Sequence, residues 1–279
     1  MINLVKKNIN TSSKKLACLT LDFENDFGDR VGRSSIIETQ ANKIIEFSDY
    51  LKKEEVPISL FLVAQMLEQN SEVRDLVKNI GSDLHSHSYS HNTKKHNFEY
   101  EINKSKEIIN KYLDINPLGY RAPQGVINEE SLDILIENNY KFSSSIFPSY
   151  RYSKFNNLKL PIVPFQWKNG LVEIPLAVIP RLRLIYSLSY IKLLGLDLYK
   201  LLSLAFGLSN IVVINTHLHD IFYSEESLGK LNGIPKAAWN IRKLRGEEYL
   251  KSVIKILKKE DYSFISITEL FYILKNSNK

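Results

Sequence analysis

The feature that most constrains this chain is an alternation, sustained through most of its length, of short apolar runs of strand size with longer stretches of helical periodicity. Strand-like runs fall at 16–22, 58–63, 83–87, 118–121, 142–147, 171–174, 211–217 and 264–267. Helical patterning fills most of the gaps. Over 36–51, Ile37, Ala41, Ile44, Ile45, Ser48 and Leu51 fall on one stripe, and Phe98, Ile102, Ile109 and Tyr112 repeat the pattern. This rhythm builds a parallel sheet with crossover helices, open or closed into a barrel. At 279 residues, 44% hydrophobic and 24% charged, the chain can bury one large core. No repeat or linker divides it. A single α/β domain is expected over 15–275, preceded by a tail at 1–14. The least regular stretch is 149–170, and 220–245 reads as a long loop of the kind that serves as a lid or binding loop.

The net charge of +6 raises the question of an anionic partner. The lysines are scattered along the chain, and neither zinc-finger spacing nor an RNA-binding aromatic signature is present, so no nucleic-acid partner is expected. The lone cysteine, Cys18, sits in an apolar run and reads as core. Residues 1–7 lack the apolar segment and cleavage site of a secretory signal, which makes a cytoplasmic location the expectation. The most apolar region, 171–214, is broken by Arg181, Arg183, Lys192, Asp197 and Lys200, short of the roughly 18 uninterrupted apolar residues of a membrane span. Contact with the inner membrane face stays open.

All six histidines lie within 85–96 and 217–219. His87 and His91 stand four apart, a spacing that one helical turn would bring to the same side, where two imidazoles can share a metal. At the end of the first predicted strand, Asp22, Glu24 and Asp26 supply carboxylates. A polar loop and an acidic turn would explain either segment alone. Together they gain weight from position: Asp22, His87, Arg121 and the 217–219 pair each fall at the carboxyl end of a predicted strand, where barrels and doubly wound sheets build their sites.

These segments, in this order, resemble the motifs of the polysaccharide deacetylases, also called carbohydrate esterase family four. Thr20-Leu21-Asp22-Phe23-Glu24 resembles the family's opening Thr-Phe-Asp-Asp-Gly. His87-Ser88-Tyr89-Ser90-His91 matches its His-Ser/Thr-x-x-His, Arg121-Ala122-Pro123 its Arg-x-Pro, and Thr216-His217-Leu218-His219-Asp220 its late Leu-x-His element. The fold implied is an irregular (β/α)7-type barrel in a single domain. The resemblance implies one divalent metal, zinc first among them, held by His87, His91 and a carboxylate. Phe23 separates Asp22 from Glu24, whereas the common motif has adjacent aspartates. Since a strand alternates faces, Asp22 and Glu24 can both point into the mouth; Glu24 is therefore the expected ligand and Asp26 the reserve. The family's Asp-plus-Trp motif has no clear counterpart, with Trp167 and Glu173 as stand-ins.

By the same resemblance, Asp22 is the general base, Arg121 holds it ionised, and His219 is the general acid. Depth along the strand favours His219 at the rim, with His217 deeper and packed. Tyr120, Pro123, Trp167 and His217 are candidates for lining the substrate site. The expected reaction removes an acetyl or formyl group from the nitrogen of an amino sugar. A nucleotide- or lipid-linked intermediate of surface glycan assembly is the preferred substrate; a lipid link would bring peripheral membrane contact. Two alternatives share the fold: a hydrolase of a ureide- or imide-type amide, and a catalytically silent glycan-binding homologue. Oligomeric state is not legible.

Overall fold

The computed structural model describes residues 4–9, 14–32, 34–81, 83–91, 93 and 98–277; His96 lies outside them. Fourteen strands occur among these residues. They are β1 (Val5–Asn8), β2 (Leu16–Phe23), β3 (Ile58–Leu62), β4 (Asp83–Ser86), β5 (Gly119–Tyr120), β6 (Phe142–Ser143), β7 (Tyr150–Arg151), β8 (Phe155–Asn156), β9 (Phe165–Trp167), β10 (Val172–Glu173), β11 (Val178–Ile179), β12 (Leu184–Ile185), β13 (Ile211–His217) and β14 (Ser263–Phe264). All eight strand-like runs of the sequence contain a strand. Four others are two hairpins, β7 with β8 and β11 with β12. Two more, β1 and β9, are an antiparallel edge, so part of the expected tail joins the sheet.

The main sheet runs β1-β9-β10-β6-β5-β4-β3-β2-β13, with β14 also paired to β2. From β10 through β13 its pairings are parallel except where β9 meets β10. Every residue of β2 is buried, because helices cover one face and the sheet's concave interior is filled on the other. The helix Ser35–Lys53 buries Ile36, Ile37, Ile44, Phe47, Ser48 and Leu51 against that outer face, close to the predicted stripe. Phe98–Leu113 buries Ile102, Ser105, Ile108 and Ile109 in the same way. Cys18 is core, as expected.

No ladder closes the barrel among the described residues. Where β10 leads on to the 174–187 segment, isolated hydrogen bonds span the gap: Leu176 N–H donates to Ile146 O at 2.9 Å and Ala177 N–H to Val213 O at 2.9 Å. A single parallel bridge joins Ser187 to Asn215. The mixed α/β fold is therefore a curved, mostly parallel sheet whose last joint is a seam. No helix of the described residues is long and apolar enough to cross a membrane.

Candidate active site

Parallel pairing brings the carboxyl ends of β2, β3, β4, β5 and β13 to one mouth. The register sets His217 directly beside Asp22. His87 follows β4 and donates its backbone N–H to Leu62 O at 2.7 Å, and Arg121 follows β5 and donates to Ser86 O at 2.9 Å. Chain segments far apart in sequence thus meet through ordinary sheet hydrogen bonds.

Glu24, His87 and His91 offer ligand atoms within 4.8 Å of one another, all three buried. Glu24 Oε2 lies 2.8 Å from His91 Nε2 and 3.7 Å from His87 Nε2. His87 Nδ1 sits 2.8 Å from Arg121 O. A carbonyl only accepts, so Nδ1 carries the proton and Nε2 presents its lone pair inward, the tautomer a metal ligand needs. The two histidines do not share a helical turn, as the i, i+4 spacing had suggested. They sit on a loop in which Ser88 and His91 both adopt positive φ, 66° and 59°. Glu101 holds that loop, accepting from Tyr89 N at 3.0 Å, Ser90 N at 2.8 Å and Ser90 Oγ at 2.6 Å. On the other side, Gly28 lies so close that a Cβ there would stand 3.2 Å from His91 Cε1 and 3.6 Å from Glu24 Oε1. Two imidazoles and one carboxylate, preoriented and enclosed, fit a divalent cation of the zinc type with positions left open.

Burial alone would raise the pKa of Glu24, but His91 and His87 outweigh it and hold the carboxyl well below its usual range. Asp26, the reserve ligand, points elsewhere. Its Oδ2 accepts from Ile36 N at 3.1 Å and Ser227 Oγ at 2.5 Å, tying the loop to a helix start and to the 224–229 region. Burial raises Asp26 to about 6.

Asp22 is held at both oxygens. Oδ1 accepts from Arg121 Nη1 at 2.6 Å and Oδ2 from Asn215 Nδ2 at 2.7 Å. Arg121 is itself buried, bonded to Ser144 O, Ser144 Oγ and Thr20 Oγ1, and stacked 3.9 Å over the Phe61 ring. Burial pushes Asp22 up, yet Arg121, with His87 and His217, brings it net below its ordinary value. The carboxylate is therefore ionised and aimed. The structure thus brings Asp22 and Arg121 together as an ion pair.

The two late histidines exchange the places expected of them. Strand alternation ends at His217, because Leu218–Ile221 turns helical with Asp220 capping the turn. His217 remains partly exposed, while His219 is buried at 7%. His217 Nδ1 lies 2.7 Å from Asp220 Oδ2, leaving Nε2 at 3.6 Å from Asp22 and 4.0 Å from Glu24. Although burial opposes it, Asp220, then Glu24 and Asp22, raise His217 to about 9. For His219, burial and then His217 lower the value to about 4. Its Nδ1 accepts from Phe27 N–H at 3.1 Å, and it packs between the rings of Phe27, His217 and Trp239. At neutral pH His217 carries a proton it can give up, and His219 carries none at Nδ1.

A raised His217 is protonated below its pKa and loses its charge as pH rises through it, so an activity that needs the imidazolium falls on the alkaline side. Asp220→Asn removes the chief support and is expected to move that alkaline limb to lower pH in a pH–rate profile. An unmoved limb would separate the limb from His217.

Of the expected substrate contacts, His217 lines the cleft, whereas Tyr120 and Trp167 do not. Both are buried in the core, Tyr120 against Tyr140 and Trp167 donating from Nε1 to Glu173 Oε2 at 3.2 Å. Glu173 also accepts from the backbone N–H groups of Ser145 and Ile146, so this pair anchors a loop. Pro123 is buried at the start of a short turn whose neighbours Ala122, Gln124 and Gly125 line the cleft. Sequence reasoning missed Asn215, Tyr190, Arg30, Arg151 and Trp239, which also line it. Trp239 comes from the predicted long loop, which forms two short helices, Glu225–Gly229 and Gly233–Asn240.

The Polysaccharide deacetylase family profile matches residues 11–143, a span that holds Asp22, Glu24, His87, His91 and Arg121. No curated protein sequence matches the chain. Among solved structures, a Mycobacterium smegmatis protein assigned to the polysaccharide deacetylases superposes with a TM-score of 0.60 at 16% identity, covering 99% of this chain and 96% of that one. The peptidoglycan deacetylase PdaC of Bacillus subtilis gives 0.51 at 15% identity, covering 95% and 94%. A carbohydrate esterase family four pseudoenzyme from Bacillus anthracis gives 0.54 at 14% identity, covering 95% and 68%. At these identities the structures establish the shared fold.

Proposed function

From the match of residues 11–143 to the polysaccharide deacetylase model and from the shared fold, we propose that this chain is a member of that family, whose reaction is the hydrolytic removal of N-acetyl groups, and that it is a metal-dependent N-deacylase of an amino sugar. One observation carries the reading. The Glu24, His87 and His91 ligand set, the Asp22–Arg121 pair and the His217–Asp220 pair all face a single cleft of about 230 Å³. That volume lies below the roughly 300–1,000 Å³ of a closed drug-sized pocket. It suits the reacting sugar, with the remainder of a larger substrate outside.

An amide resists hydrolysis because its carbonyl is a weak electrophile and its nitrogen a poor leaving group. A cation held by Glu24, His87 and His91 supplies Lewis acidity for the acyl oxygen and acidifies water. The chain's own groups move the protons. Asp22, ionised and fixed through Arg121 and Asn215, takes one from the attacking water as it adds to the acyl carbon. His217 Nε2 gives one to the sugar nitrogen as the carbon–nitrogen bond breaks, and Asp220 stabilises the charged ring beforehand. His219, neutral, offers at most a hydrogen bond. This reading gives the acid's part to His217 in place of His219.

For the substrate we favour an N-acetyl or N-formyl amino sugar carried on a phosphate-linked lipid or nucleotide, because Arg30 and Arg151 on the cleft wall are cations without a carboxylate partner among the described residues. Zinc suits the nitrogen-rich donor set. The silent-homologue reading predicts a missing group. The residues proposed as base, acid and ligands line one cleft, which supports the active reading. The deciding experiment measures metal content of the purified chain, then acetate and formate release from a panel of free, nucleotide-linked and lipid-linked N-acyl amino sugars. About one metal per chain and release from a linked donor are expected; metal-loaded protein that releases neither acid from any donor would overturn the reading.

A further inference from the structure

Fifteen large apolar side chains are exposed among the described residues, and nine of them fall within 182–204 and 234–244. The concentration is not what a solvated surface requires. On the helix Leu196–Phe206, Leu198, Leu201 and Leu204 follow the i, i+3, i+6 spacing of one stripe, exposed at 40%, 61% and 85%, and Leu194 at the end of the preceding helix is exposed at 40%. The opposite stripe, Leu196, Tyr199 and Ser203, is the buried one. This helix is therefore apolar on two faces and has a core for only one. The second segment adds Ile234 at 85% and Leu244 at 73%. Arg242 joins the two segments by donating from Nη1 to Lys192 O and Leu193 O, each at 3.0 Å.

Charge names the occupant. Residues 230–245 contain Lys230, Lys236, Arg242, Lys243 and Arg245 and no acidic residue. Some cations of this surface are answered by exposed carboxylates: Lys230 by Glu226, Lys243 by Glu225, Arg245 by Glu248, and Lys200 by Asp197. Arg181, Lys236 and Arg242 have no carboxylate partner among the described residues. A second copy of the chain, docking the same patch on itself, would bring these cations together. An anionic bilayer would neutralise them while accepting the leucines at the depth of its headgroup boundary. We propose that this face is a peripheral docking surface for an anionic lipid bilayer.

The face is continuous with the cleft. Ile185, Ser187, Ser189 and Tyr190, which line the site, lie in the chain between Leu182 and Leu193, both exposed. Seated on a bilayer, the cleft mouth would stand beside the surface from which a lipid-linked sugar projects. That last link rests on the proposed deacylation; the docking does not.

The test uses the full, metal-loaded chain and vesicles of phosphatidylcholine with or without phosphatidylglycerol, read by co-sedimentation. The wild type is expected to bind the phosphatidylglycerol vesicles, less so as salt rises. L201E/L204E should cut partitioning by roughly tenfold or more, since two exposed leucines that would enter the bilayer are replaced by charges. Arg181→Glu with Lys236→Glu should weaken binding to the anionic vesicles alone. Both variants should keep wild-type melting behaviour, since all four side chains are exposed, and turnover of a soluble donor is measured separately so that a failure of the chemistry leaves the vesicle result readable. Absence of vesicle binding, binding that L201E/L204E leaves unchanged, or a wild-type dimer in sedimentation equilibrium that the leucine variant dissolves would each overturn the proposal.

Discussion

Replacing His217 by Ala is expected to lower turnover on an N-acyl amino sugar by about two to four orders of magnitude, the usual worth of a general acid. His219→Ala is expected to cost less than His217→Ala and to act mainly through packing with Phe27 and Trp239. The difference follows from proton placement: Asp220 holds His217 charged, while burial and the Phe27 N–H leave His219 with an unprotonated Nδ1. A substrate whose leaving group needs no proton separates the roles. On an activated acyl ester, His217→Ala should recover most of its lost rate while metal content stays at the wild-type ratio. Equal loss on amide and ester would remove the acid assignment, and a deeper loss from His219→Ala would transfer it.

The double variant His87→Ala/His91→Ala should lose its metal and fall to background turnover, because the carboxylate of Glu24 alone is a weak site for a nitrogen-preferring cation. Elemental analysis is the direct check. Thermal melting adds a second, since a ligand that binds only the folded chain raises its stability with concentration. Added zinc should therefore raise the wild-type Tm and leave the double variant's unmoved. Metal retained at the wild-type ratio would place the ion elsewhere, the other such cluster among the described residues being His217, His219 and Asp220, where Nδ1 of each imidazole is already engaged.

The eight strand-like runs and the residues at their carboxyl ends were readable because each signal is local. An apolar run bounded by polar residues declares a strand, and a charged group at its end declares a place on the mouth. The pleat put Asp22, Glu24 and Asp26 on one face and could not rank the last two; the turn after Phe23 sends Glu24 to the histidines and Asp26 to Ile36 and Ser227. What depended on a change of local geometry was not readable. Alternation could not rank His217 against His219 because the strand stops between them. The spacing of His87 and His91 suggested a helical turn, whereas a loop with two positive-φ residues, pinned by Glu101 from a distant helix, does the work. Tyr120 stands beside Arg121 in sequence, but the pleat sends it into the core, and Trp167 is buried there too. Asn215 and Trp239 became visible only when the sheet and the short helices brought them to the cleft.

The joint between the 174–187 segment and β13 differs in kind from the rest of the wall. Between β2 and β13 seven residue pairs stand in register, and parting them would unmake the site. The 174–187 segment is fastened to β13 by one backbone bond, Ala177 to Val213, and one bridge, Ser187 to Asn215. Each such bond is worth about 0.5–1.5 kcal/mol net. The wall that carries Ile185, Ser187 and Ser189 is held to β13 chiefly by packing, Leu176 in one buried cluster with Val213 and Ile179 and Tyr186 in another with Val212 and Ile214, whereas the wall that carries Asp22 is held by a continuous ladder as well.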